Sequence, residues 1–417
     1  MEKTGGRFHR ALRWSEQYTK TDMVYLAHGG FWLTLELAVA IIFSFTLAVV
    51  FGHWASKDLY GNYKYVLSLT SLLAAVSLSG IATALTQSTA RGHEGALAQG
   101  FQLNIRWSIP MSILALGVGV FYFLQNNLFV AVSMLIVALL WPLLSSFSLF
   151  DNFLIGRREF SKSAIYSMVS NLFSTLVLVA VLFIGGRAIM LVLAYFVVNT
   201  ATAAFFYFRA QARARNHETD PDMFRYGFHL SVMSTIGAIA NQIDSIAVFA
   251  ILGPIDLAIY AYAIAIPEQM KNVLKNIVPL SMPKFGQRTL AEIKENIYAR
   301  MLYLTCIVGV GAGLYALAAP WLFAVLFPVY LSSVPFSQLY VISLLFMVPG
   351  PLAVSALQAH KKTRALYIAT NTGPIVLLLT LPGLTYVWGI EGAVASQILY
   401  RIVNMSVSLW QFAVAKD

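Results

Sequence analysis

The sequence predicts an all-α polytopic membrane protein, with about twelve transmembrane helices in two six-helix lobes and both chain ends on the cytoplasmic side. Three observations predict it. Hydrophobic residues make up 59% of the 417-residue chain and charged residues only 11%, with a mean hydropathy of +0.71. A soluble domain carries about one quarter charged residues, so too few charges remain here to cover a water-facing surface. Apolar stretches of bilayer length recur along the whole chain, and the Lys and Arg residues fall on alternate connections between them. The composition excludes a soluble enzyme, a disordered chain and a nucleic-acid-binding domain.

A spanning helix needs about 20 apolar residues. Stretches that meet this run near 30–52, 62–85, 105–124, 128–149, 163–184, 188–208, 229–252, 257–283, 299–318, 336–358, 366–387 and 390–413. The first is interrupted only by Glu36, and the second closes through Gly80. Turn residues separate the third from the fourth (Gln125, Asn126, Asn127) and the fifth from the sixth (Gly185, Gly186). The seventh carries Asn241 and Asp244 and ends at Gly253-Pro254. The eighth carries Glu268, Lys271 and Lys275, the ninth Cys306 and the twelfth Arg401, with Trp388-Gly389 as the turn before it. Pro142, Pro267, Pro279, Pro349, Pro351 and Pro374 fall within the stretches and read as hinges. The linkers are short, so no separate catalytic or nucleotide-binding domain is expected.

By count, about 22 of the 28 Lys and Arg residues fall on the side of the N-terminus, which predicts an inside N-terminus, an inside C-terminus and an even number of spans. Lys57, Lys64 and Arg187 fall on the opposite side; Lys271, Lys275 and Arg401 fall inside spans. The segment 1–29 holds five bases and no cleavable apolar core. It reads either as an interfacial helix, with Phe8, Leu12, Trp14 and Tyr18 between arginines, or as a basic tail. The expected division is an N-lobe over 30–215 and a C-lobe over 216–417. Two echoes suggest duplication in parallel orientation: Tyr63 and Tyr65 against Tyr260 and Tyr262, and Arg157-Arg158 with Tyr166 against Lys361-Lys362 with Tyr367.

No phosphate-binding loop, zinc-helix motif, nucleophile elbow or dinucleotide fingerprint is present, and one cysteine cannot build a disulfide or a cysteine metal site. No catalytic residue, metal or cofactor is expected. The informative groups are the ionisable ones inside spans, each costing at least about 2.5–3.5 kcal/mol at a helix centre. Lys271, Lys275 and Glu268 share one helical stripe below Pro267. With Arg401 they form a basic group able to hold a phosphate or pyrophosphate, or else a set of structural ion pairs. Asp244 reads as a proton or sodium site or as the counter-ion of Arg401, and Glu36 as snorkelling or facing the interior. Arg91 and Arg106 flank the loop after the second span, where they mark the cytoplasmic interface or guide a headgroup from that side.

Several runs resemble the polysaccharide and oligosaccharide transporters of the MOP exporter superfamily. Lys57–Tyr63 resembles their aromatic-Gly entry to the second helix, and Leu78–Arg91 its small-residue exit ending in Ala-Arg. Phe153–Arg157 resembles their signature before the fifth helix. Asp244 with Leu252–Ala263 resembles the start of the second lobe, and Leu326–Tyr330 and Trp388–Ala393 resemble outer loops. The resemblance implies a flippase of the cytoplasmic (inner) membrane, moving a lipid-linked oligosaccharide of undecaprenyl-pyrophosphate type by alternating access for surface polysaccharide synthesis. Lys271, Lys275 and Arg401 would then engage the pyrophosphate. Membrane lipids, and a polymerase or glycosyltransferases, are the implied partners. A cation-coupled multidrug-type antiporter of the same superfamily is the competing class. It would use Asp244, Glu268 or Glu36, and substrate-driven ion flux separates the two.

Overall fold

In a computed structural model, residues 23–277, 290–360 and 362–415 are described, with the side chains of 23–28, 236, 272–277, 291 and 296 excepted. The first 22 residues of the basic segment, Pro279, Lys284, Arg288, Lys361 and Lys416 lie outside the described residues, as does the side chain of Lys275. Every regular element among the described residues is helical. In a bilayer core the backbone has no water to bond, and a helix closes each N–H on its own chain.

In chain order the helices are α1 (Met23–Trp54), α2 (Lys57–Ala74), α3 (Ile81–Ala90), α4 (Ala96–Leu124), α5 (Leu128–Phe147), α6 (Leu149–Gly156), α7 (Phe160–Phe183) and α8 (Ala188–Gln211). There follow α9 (Met223–Ala240), α10 (Ile243–Leu252), α11 (Pro254–Ile277), α12 (Leu290–Leu326), α13 (Val334–Ile342), α14 (Pro349–Ala359) and α15 (Thr363–Val414). Nine helical stretches among the described residues are long and apolar enough to cross a membrane. One of these is the 52-residue α15, which at about 1.5 Å per residue far exceeds a core of about 30 Å. It is broken at Gly389, whose φ of 61° and ψ of −137° lie where only glycine is at ease, at the turn the sequence marks.

The expected second stretch, 62–85, is not one helix. α2 stops at Ala74 and α3 starts at Ile81. The opened backbone finds other partners: the Gly80 N–H donates to Ser231 Oγ at 2.8 Å, and Ser79 meets Ser234 at 3.2 Å. The seventh stretch is likewise split, at Asn241-Gln242 between α9 and α10. The tenth is broken by a 3₁₀ segment, Ser343–Met347, before α14. Pro349 is therefore not a mid-helix hinge. It sits in the first turn of α14, where its missing N–H has no helical partner to lose. Pro142, Pro267 and Pro374 do lie inside helices.

The chain forms two compact units. Unit one holds residues up to Val50 and Leu73–Ser234; unit two holds Phe51–Leu72 and Thr235 onward. The core of unit one gathers Leu78, Leu85, Leu97, Phe153, Leu154 and Phe206. Unit two has two apolar centres, one around Ile297, Leu352 and Phe412 and one around Tyr315, Val341 and Leu344. Large apolar side chains elsewhere point outward, Leu317 at 82% and Leu379 at 76% exposure, as lipid-facing helices require.

Candidate functional site

A cluster of largely buried charge lies in unit two. α11 supplies Glu268 and Lys271 one turn apart, and the two form an ion pair. α15 supplies Arg401, only 4% exposed. Its Nη2 donates to Glu268 Oε1 at 2.9 Å and to the Tyr340 hydroxyl at 2.7 Å, its Nη1 donates to Ser343 Oγ, and its guanidinium lies 4.8 Å from the Tyr340 ring centre. The Tyr340 hydroxyl donates in turn to Glu268. Tyr340 comes from α13 and Ser343 from the 3₁₀ segment, so the break in that stretch presents a hydroxyl to the guanidinium. One carboxylate thus serves two bases, leaving the Lys271–Glu268–Arg401 triad with one excess positive charge.

Asp244 stands in the first turn of α10, where the helix dipole favours an anion. It is 7% exposed and accepts from three donors: the Ser245 N–H at 2.7 Å, the Tyr260 hydroxyl at 2.8 Å and the Gln397 amide at 3.0 Å. Among the described residues, the ion-pair partner of Arg401 is Glu268 and not Asp244, for which the counter-ion role was one of two readings. Lys64 lies in electrostatic reach of Asp244.

The remaining sequence candidates lie in unit one. Glu36 meets Ser167 and lies near Asp151, which accepts a hydrogen bond from Ser163, so Glu36 faces a polar neighbour rather than the apolar surroundings alone. Arg91 caps α3, exposed and close to Asp220, while Arg106 is exposed on α4. Nothing among the described contacts joins Arg91 to Arg106.

Unit one also carries a charged latch around the Phe153–Arg157 run. Arg157, with a side chain 8% exposed, donates from Nη1 to Glu94 at 3.0 Å and pairs through Nε with Glu159 at 3.1 Å. Burial alone would raise the Glu159 carboxyl, but the hydrogen bond from Lys162 and the charges of Arg157, Lys162 and Arg213 hold it below its usual range. The Ser88 hydroxyl donates to Asp220 at 2.6 Å and lowers that carboxyl too.

Sequence reasoning missed Tyr260, Tyr340, Ser343 and Gln397, which complete these clusters. One signal was present: Gln397 lies four residues before Arg401, on the same helical face. It also began the second span at 62. α2 begins five residues earlier, at Lys57, and Lys64 stands two turns inside it, half-buried.

A family model described as polysaccharide biosynthesis protein matches residues 26–287. Among solved structures, the chain is similar to an inward-facing multidrug resistance MATE family transporter of the MOP superfamily, at 13% identity over 89% of this chain and 93% of that one, with a TM-score of 0.62. It is similar to the lipid II flippase MurJ in an inward closed conformation, at 12% identity over 90% and 86% of the two chains, with a TM-score of 0.62. An outward-facing MATE family transporter also matches, at 12% identity over 92% and 94%, with a TM-score of 0.57. At these identities the likeness is one of fold. No curated protein matches the chain.

Proposed function

The chain belongs to the polysaccharide biosynthesis protein family, and we propose on that premise that it is a flippase. Its cargo is a lipid-linked oligosaccharide of undecaprenyl-pyrophosphate type, carried across the cytoplasmic membrane by alternating access for surface polysaccharide assembly. The proposal includes twelve passes with both chain ends inside, and a polymerase and glycosyltransferases as working partners. The observation that supports the cargo is the charge balance of the triad: two bases, Lys271 and Arg401, against one acid, Glu268, inside an apolar chain. An excess base in that setting favours an anionic headgroup over an organic cation. Lys275 stands one turn beyond Lys271 on α11 and belongs to the same proposed site.

The test is translocation of a fluorescent lipid-linked oligosaccharide in vesicles holding equal amounts of folded protein. Wild type flips it, and Lys271→Ala with Arg401→Ala together slow flipping by at least about tenfold. Wild-type rates in the double variant would remove the site; no flipping by wild type would remove the function.

The buried carboxylate of Asp244 favours a second reading, the cation-coupled antiporter. Its signature is substrate-driven proton or sodium flux that disappears in Asp244→Asn. Flux without any translocation of lipid-linked sugar would decide for the antiporter.

A further inference from the structure

Among the described residues, Lys64 is a cation of unit two that stands outside the triad. α2 is locked where it lies. At Gly61 a Cβ would come within 1.8 Å of the Pro254 carbonyl oxygen, so only glycine allows this approach to the start of α11. Tyr63 and Tyr65, on either side of Lys64, are 4% and 2% exposed, and Tyr65 stacks on Phe249 of α10 at 3.6 Å. Lys64 is thereby held half-buried, in reach of the Asp244 charge. Asp244 nevertheless takes its hydrogen bonds from Ser245, Tyr260 and Gln397. Among the described residues, the Lys64 ammonium makes no hydrogen bond and no ion pair within 4.0 Å.

Three other bases of unit two with described side chains are engaged. Lys271 and Arg401 share Glu268, and Lys57 donates to Ser332 at 3.0 Å. An ammonium has three donors and no acceptor, and leaving them unfilled in a half-buried position is costly. A carboxylate nearby but bonded elsewhere keeps the site from carrying a bare positive charge while leaving those donors available.

We infer that Lys64 is a ligand-binding residue, which takes an oxyanion of phosphate or carboxylate type, with Asp244 as the fixed charge that balances it when the ligand is absent. That the oxyanion belongs to a lipid carrier rests on the flippase reading; the site itself does not.

The experiment measures binding to the full chain in nanodiscs. The probes are undecaprenyl pyrophosphate, undecaprenol as the phosphate-free control, and soluble inorganic pyrophosphate. The proteins are wild type, Lys64→Gln, Lys64→Arg, and the charge-neutral pair Lys64→Met with Asp244→Asn, which avoids stranding a buried carboxylate should the single variant fail to fold. The expected result is tight binding of undecaprenyl pyrophosphate over undecaprenol by wild type, weakened at least about tenfold in Lys64→Gln and in the double variant, and kept within about threefold by Lys64→Arg. Lys64-dependent binding of inorganic pyrophosphate alone would uphold the oxyanion site and overturn the lipid-carrier reading. Binding of the lipid pyrophosphate that is equal in wild type, Lys64→Gln and the double variant would overturn the site and leave the flippase standing. Binding of neither probe by wild type would overturn both.

Discussion

Glu268 is shared by two bases, and Arg401 reaches three elements from one guanidinium, touching Glu268 on α11, Tyr340 on α13 and Ser343 in the 3₁₀ segment. Removing the shared acid takes from both cations the carboxylate they pair with. Glu268→Gln is expected to destabilise the protein by about 3 kcal/mol, at the low end of what a broken buried pair costs. Thermal unfolding in detergent reads it. Adding Lys271→Met returns the cluster to a single excess charge, so the double variant melts above Glu268→Gln. Arg401→Lys keeps the charge but loses the forked donors and the stacking on Tyr340, and it too melts below wild type. Glu159 gives a pH test on the latch. Its folded pKa lies below the ordinary 4.5, so its contribution is complete above that value and is lost as the pH falls through the lowered one. Between about pH 5 and 3 the melting temperature of wild type should fall further than that of Glu159→Gln. Asp244, Glu268, Lys271 and Arg401 were legible in the sequence, because a charge in an apolar stretch must be explained. Tyr260, Tyr340 and Ser343 were not. Neutral polar residues are common in membrane helices, and their roles depend on partners such as Asp244, 16 residues before Tyr260, or Arg401, 61 residues after Tyr340.

At the scale of elements, hydropathy located the apolar stretches and missed their interruptions. The stretch 62–85 reads from the sequence as one span, yet its backbone ladder opens at 75–80, where Ser231 supplies an acceptor to Gly80. The stretch 336–358 reads as one span and is three short helices. A sum over side chains is blind to whether a carbonyl keeps its partner four residues on. Gly389 was legible, because a Trp-Gly pair between apolar runs is a turn signal. Gly389→Ala forces a Cβ into backbone space open almost only to glycine and should cost about 1–3 kcal/mol. A reduced melting temperature in detergent, with unchanged helical content by circular dichroism, is the expected reading.

For the whole molecule, the all-helical membrane fold was legible from composition and periodicity. Sidedness is a separate expectation with its own measurement. In a Cys306→Ser background, cysteines at Asn126 and Arg187 should react with a membrane-impermeant thiol reagent in intact cells, and cysteines at Arg158 and Arg213 should not. Reaction at all four positions, or at none, would refute the alternating arrangement. The compact units also differ from the two sequence halves expected from the repeat. The segment Phe51–Leu72 packs into unit two, whose other residues begin at Thr235. Charge counting and hydropathy treat each span alone, so neither could assign α2 to the later part of the chain.

That assignment has a consequence for how the protein is made. Synthesis runs from the N-terminus, so α2 emerges long before α10, whose Phe249 its Tyr65 stacks upon. During that interval a newborn chain holds a lysine-bearing helix without its final neighbours. A fragment ending at residue 215 would never supply them. Its second helix should therefore be the part that insertion machinery and membrane proteases treat as unfinished, and co-expression of the missing half should protect it.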